Sequence, residues 1–184
     1  MVRKLFALAV VAALTGTALA ADLKSGNQPG DKVSGAFHPY HVNGEEAGKC
    51  GCLYCKAGDD PVIAVFARTP NDPAVHKLLK ALDAENVKHA KADMLTYAVF
   101  TGDKAAIEPT LKDVAKKAEL KKLIIAIEEK DEPIPEKYKL NKDADVTVIL
   151  YVNRLVQANH AFAKGKITDK DIEAVVKDVA KIVK

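Results

Sequence analysis

Apolar positions along residues 61–184 follow two rhythms, continuous runs and helical spacing, and these predict alternating strands and helices. Residues 61–67 form an unbroken apolar run with Val62, Ile63, Val65 and Phe66, as a strand buried on both faces reads. Thr69-Pro70-Asn71-Asp72-Pro73 breaks the chain and starts a helix, with Asp72 suited to the N-cap and Pro73 to the first helical position. Val75, Leu78, Leu79 and Leu82 supply its inner face. Residues 95–101 predict a second strand, ending at Gly102-Asp103. Pro109 is expected to open a helix through about Glu119, with Leu111, Val114, Ala115 and Ala118 facing inward. Residues 123–127 predict a third strand. A connector over 128–145 contains Pro133, Pro135 and a single helical turn around Tyr138. A fourth strand over 146–152 turns at Asn153-Arg154 into a fifth over 155–159. Thr168, with Asp171 three residues on, then caps a last helix carrying Ile172, Val175, Val176, Val179 and Val183.

The order is β-α-β-α-β, a connector, then β-β-α. Crossover helices imply parallel strands, and the two-residue link implies a terminal antiparallel hairpin. The fold class expected is α/β, with a mixed central sheet and helices on both faces. Residues 21–60, rich in Gly, Asp, Lys and Pro, predict an irregular arm ending in a hairpin at Asn43-Gly44 and carrying the cysteines. Residues 61–184 are expected to form the domain.

Residues 1–20 have the pattern of a cleavable export signal. Arg3 and Lys4 precede about ten apolar residues, and Ala18-Leu19-Ala20 forms an A-x-A site, which predicts cleavage after Ala20 and a secreted or periplasmic protein. No later run approaches the roughly 20 apolar residues of a membrane span. Of 28 Lys+Arg, the loss of Arg3 and Lys4 leaves 26 against 25 Asp+Glu. So even a balance, interleaved along the chain, gives no footprint for nucleic acid or an anionic membrane.

All three cysteines lie in one stretch, Cys50-Gly51-Cys52-Leu53-Tyr54-Cys55, a C-x-C fused to a C-x-x-C. The C-x-x-C spacing closes into a disulfide when its segment makes a helical turn, and an exported protein meets an oxidising environment. Cys52 and Cys55 are therefore the candidate redox pair, with Cys50 as an accessory, resolving thiol. Lys49 and Lys56 flank the group and are expected to favour thiolate. The alternative is a structural disulfide that pins the arm and leaves a spare thiol. A further alternative is metal binding by the three sulfurs with His38 and His41, which would suit Zn²⁺ or Cu(I). No Ser/His/Asp order, phosphate loop or C-x-x-C-H haem motif is present, and no cofactor is expected.

The element order, with Gly30-Asp31, residues 37–44, the strand ending at Phe66, Tyr138-Lys139-Leu140, residues 146–151 and Asn153-Arg154, resembles the thioredoxin-like superfamily in its secreted, redoxin-related branch. The resemblance implies a three-layer thioredoxin-like sandwich and another thiol or disulfide protein as partner. It also implies a C-x-x-C after the first central strand, opening the next helix. Here residues 67–73 stand at that position and contain no cysteine, and no Thr-x-x-Cys is near. The proline that the family places before the late strand is replaced by Asp145. These departures argue against ordinary thioredoxin or peroxiredoxin activity. They leave thiol–disulfide exchange or redox sensing through the displaced Cys52–Cys55 pair, or a non-catalytic binding scaffold.

Overall fold

A computed structural model describes residues 23–183; the expected signal segment lies outside the described residues. Six strands form one mixed sheet: β1 (Tyr40–His41), β2 (Val62–Ala67), β3 (Leu95–Phe100), β4 (Ile124–Ile127), β5 (Val146–Val152) and β6 (Leu155–Phe162). Their spatial order is β1-β4-β3-β2-β5-β6, with β2, β3 and β4 parallel and the remaining pairings antiparallel. Every residue of β2 is buried, because helices or arm cover both of its faces. Ile63, Val65 and Ala67 face one core with the long helices. Val62, Ala64 and Phe66 face a second core with the arm.

Helix α1 (Leu53–Ala57) carries the C-x-x-C and precedes β2. Helix α2 (Pro73–Lys88) begins as the sequence implies, with the Asp72 carboxylate accepting from the Ala74 N–H at 2.8 Å. Helix α3 spans Lys104–Lys117 and corrects the expected start at Pro109. Its cap is Asp103, whose carboxylate accepts from Ala106 N–H at 3.2 Å. Pro109 lies inside the helix, where a missing N–H and a ring clash cost about 3 kcal/mol. Burial of Leu111 and Val114 against the sheet offsets that cost. A short α4 (Ile134–Lys137) puts Tyr138 at its end, and α5 (Asp169–Asp178) starts with the full Thr168–Asp171 capping box. Strand β6 runs three residues beyond the expected end at Asn159. Asn153 and Arg154 both adopt positive φ, 53° and 61°, as a two-residue hairpin turn requires.

The arm contributes to the fold at both sheet edges. Phe37 is fully buried among Phe66, Tyr97 and Tyr138, meeting the Tyr138 ring edge-on at 5.3 Å. The Tyr138 hydroxyl donates to the Gly35 carbonyl at 3.0 Å and ties the arm down. Farther on, β1 pairs with β4, and Asn43 brackets that strand: its Nδ2 donates to Leu123 O and its Oδ1 accepts from Ile125 N–H.

Candidate redox site

The cysteine segment is placed by β1. Cys50 bridges Tyr40 on its outer side, His41 N–H donates to Lys49 O at 2.9 Å, and Gly51 N–H donates to Pro39 O at 3.2 Å. The chain then turns into α1, whose N-cap is Cys52. Buried Leu53 and Ala57 fix that helix to the second core, leaving Cys52 half-buried and Cys55 exposed. Cys52 and Cys55 form a disulfide with Cα atoms 5.2 Å apart. The Cys55 N–H points at Cys52 Sγ at 3.1 Å. Tyr54, inside the motif, lies half-buried with the Arg154 guanidinium 5.1 Å from its ring centroid.

Cys50 remains a free, exposed thiol. Its Sγ donates to Glu129 Oε1 at 3.7 Å. The same oxygen accepts from Lys104 Nζ at 3.2 Å, and that ammonium lies 3.6 Å from the Tyr40 ring centroid. Burial pushes the Cys50 thiol up from its ordinary value. The charge of Glu129 and its hydrogen bond push the same way, and Lys104 opposes them. The lysines adjacent in sequence were expected to set this balance. The dominant charge instead comes from a glutamate 79 positions away.

Between Cys50 and Cys52, Gly51 leaves room for a buried histidine. A Cβ at Gly51 would lie 3.1 Å from both His41 Cε1 and Glu46 Oε2, and 3.3 Å from His41 Nε2. His41 is 1 % exposed. Its Nδ1 is 3.5 Å from Glu46 Oε2, while Nε2 is buried without a hydrogen-bond partner. Desolvation lowers its pKa; the Gly51 backbone and Glu46 oppose that shift, and Lys56 adds to it. His38 is exposed and pairs with Glu132 at 2.9 Å. The two histidines of the metal-binding alternative differ in setting, His38 at the surface and His41 buried. Among the described residues no group of three or more His, Cys, Asp or Glu is arranged to hold a metal ion.

The segment at the end of β2, residues 67–73, is closed by local bonds. Beyond β2, Thr69 Oγ1 donates to Asp145 Oδ1 at 2.7 Å and Arg68 Nε donates to Ala144 O at 3.0 Å. Asp145 Oδ2 is buried without a partner beside a cavity of about 10 Å³, about the room one water needs. Glu129, the contact of Cys50, lies just beyond the C-terminal end of β4. Two strand spacings separate β4 from β2, or about 10 Å. Cys50 therefore lies at the same end of the sheet as that segment, displaced toward the β1 edge, while Tyr54 of the C-x-x-C reaches Arg154 in the β5–β6 turn at the other end. Glu129 and Lys104 had no sequence signal, because only the packing of α3 beside β4 brings them to Cys50.

No protein-family model matches the chain, and no curated protein matches its sequence. Solved structures do match. A Bacteroides thetaiotaomicron protein assigned as a disulfide isomerase superposes with a TM-score of 0.65 at 13% identity, covering 88% of this chain and 94% of that one. The peroxidoxin BcpB of Mycobacterium tuberculosis gives 0.62 at 12% identity, over 85% and 99%. A secreted Mycobacterium tuberculosis disulfide oxidoreductase homologous to Escherichia coli DsbE gives 0.59 at 12% identity, over 79% and 95%. The chain has the thioredoxin-like fold. At these identities the likeness speaks for architecture, and function has to come from the site.

Proposed function

We propose that this is an exported thioredoxin-fold protein that exchanges disulfides with another thiol protein through Cys52 and Cys55. One observation carries the reading: the bond is at the surface, and its two sulfurs are differently placed. Cys55 is exposed to an incoming thiolate, while Cys52 Sγ already faces the Cys55 N–H. Attack on Cys55 forms a mixed disulfide and breaks the Cys52–Cys55 bond. The electron pair goes to Cys52 Sγ, where that N–H favours the thiolate. A more stable leaving thiolate departs faster. In the reverse direction, Cys52 attacks the mixed disulfide and releases the partner. Cys50, two residues away, is the accessory thiol. Export is supported by the Ala18-Leu19-Ala20 cleavage pattern and by the disulfide itself, which suits an oxidising compartment.

The non-catalytic scaffold draws its support from the closed Thr69–Asp145 contact at the family's usual catalytic position. Insulin reduction by wild type and Cys52→Ser, with titration of Cys52–Cys55 in defined dithiol buffers, separates the two. Exchange predicts activity above background that the substitution abolishes. Equal background rates, with a disulfide that resists reduction until the protein unfolds, refute exchange and favour the scaffold.

A further inference from the structure

The proposed exchange uses two of the three cysteines and leaves open how the third is kept from interfering. Cys50 and Cys52 flank a single glycine, so their Cα atoms are at most about 7 Å apart. Disulfides span Cα separations up to about 6.8 Å, so a slight tightening at Gly51 brings Cys50 Sγ within reach of Cys52. In that step a Cys50–Cys52 bond forms and the Cys52–Cys55 bond breaks. The electron pair goes to Cys55 Sγ, and the proton lost by Cys50 ends on Cys55. The rearrangement is redox-neutral and needs no external reagent.

Charged groups from two elements act on the Cys50 thiol. The segment after β4 brings Glu129 and Glu132 and α3 brings Lys104; the Lys104 ammonium lies over the Tyr40 ring of β1, and His38 of the arm pairs with Glu132. Among these side chains the hydrogen bond to Cys50 Sγ is made by Glu129. We propose that Glu129, its charge partly offset by Lys104, is a gate on the third thiol: it holds Cys50 protonated and so keeps it from attacking the Cys52–Cys55 disulfide. The thiolate is the attacking species, and the upward shift of the Cys50 pKa fits the gate. Glu129 is a positioning residue, acting on the site through Cys50. The inference rests on reading Cys52–Cys55 as exchangeable.

In the oxidised protein Cys50 is the one thiol available, because the chain has three cysteines and two are bonded. Its alkylation by iodoacetamide across pH therefore reads one site. Glu129→Gln should move the midpoint of that profile down by about 0.15 to 0.7 of a pH unit, the range of an exposed charge pair. Lys104→Met should move it up. After incubation at pH 8 and an acid quench, disulfide mapping should find more Cys50–Cys52 linkage in Glu129→Gln than in wild type. An unmoved midpoint, shifts of the same sign in both variants, or unchanged linkage in Glu129→Gln would overturn the gate. Alkylation needs no external disulfide partner, so failure of the insulin assay leaves the midpoints readable and is distinguishable from failure of the gate.

Discussion

Asp83 is a buried carboxylate that fixes where β4 begins, and its removal should be costly. It stands on α2 at 6 % exposure. Its oxygens accept from three successive backbone N–H groups: Lys121 at 3.0 Å, Lys122 at 2.8 Å and Leu123 at 2.7 Å. The three bonds are unequal. Lys121 and Lys122 are exposed, so water can replace the carboxylate there at about 0.5 kcal/mol each. Leu123 is buried, and losing its charge-assisted partner costs about 1.5–3 kcal/mol. Asp83→Ala should therefore destabilise by about 3 kcal/mol, which for a domain of this size lowers Tm by roughly 6–12 °C. Asp83→Asn keeps one acceptor but turns an amide N–H toward the Lys121 N–H, and should lose about half as much. Urea unfolding with an unchanged m-value is the assay. A loss below about 1 kcal/mol for Asp83→Ala would refute the view that this carboxylate anchors β4.

Two further outcomes follow from the site and the hairpin. The folded pKa of His41 is depressed, so the unfolded chain binds more protons between that value and about 6.5, the ordinary histidine value. Stability should be level above that pH and fall as pH drops through the window, and His41→Gln should remove most of that slope; identical slopes for both proteins would refute the assignment. Arg154 sits at φ 61° in a turn that suits Asn-Gly, and its ion pair with Asp59 at 3.3 Å is exposed. Arg154→Gly should raise the unfolding free energy by about 0.5 kcal/mol, read as a higher urea midpoint, and a loss of stability would show that the guanidinium contact to Tyr54 outweighs backbone strain.

The sequence was legible where a feature is local. Asp72-Pro73 and Thr168 with Asp171 each start a helix with residues that touch their own neighbours. The unbroken run of β2 reports burial on both faces directly. Likewise, the C-x-x-C closes through its own helical turn, as its spacing implies. Pro109 misled because proline is a good opener, yet Asp103 six residues before the expected start already satisfies the helix N-terminus. What stayed hidden depends on distant chain. The pairing of β1 with β4, the clasp of Asp83 on residues 121–123 and the approach of Glu129 to Cys50 join positions 38 to 87 apart. Local spacing contains no term for them. For that reason the two flanking lysines, Lys49 and Lys56, do not show which charges act on Cys50; Glu129 and Lys104 are the ones that do.

The arm has a consequence for how copies of this chain meet one another. A sheet edge with free backbone donors and acceptors is a template for a foreign strand. Here the start of β6 is occupied: Gly30 N–H donates to Val156 O, Val156 N–H to Asp31 O and Val33 N–H to Arg154 O. At the opposite edge β1 is only two residues long, and the cysteine segment lies along its outer side. The N-terminal arm therefore serves as a fender on both flanks of the sheet, occupying backbone positions through which one molecule could otherwise zip onto the next.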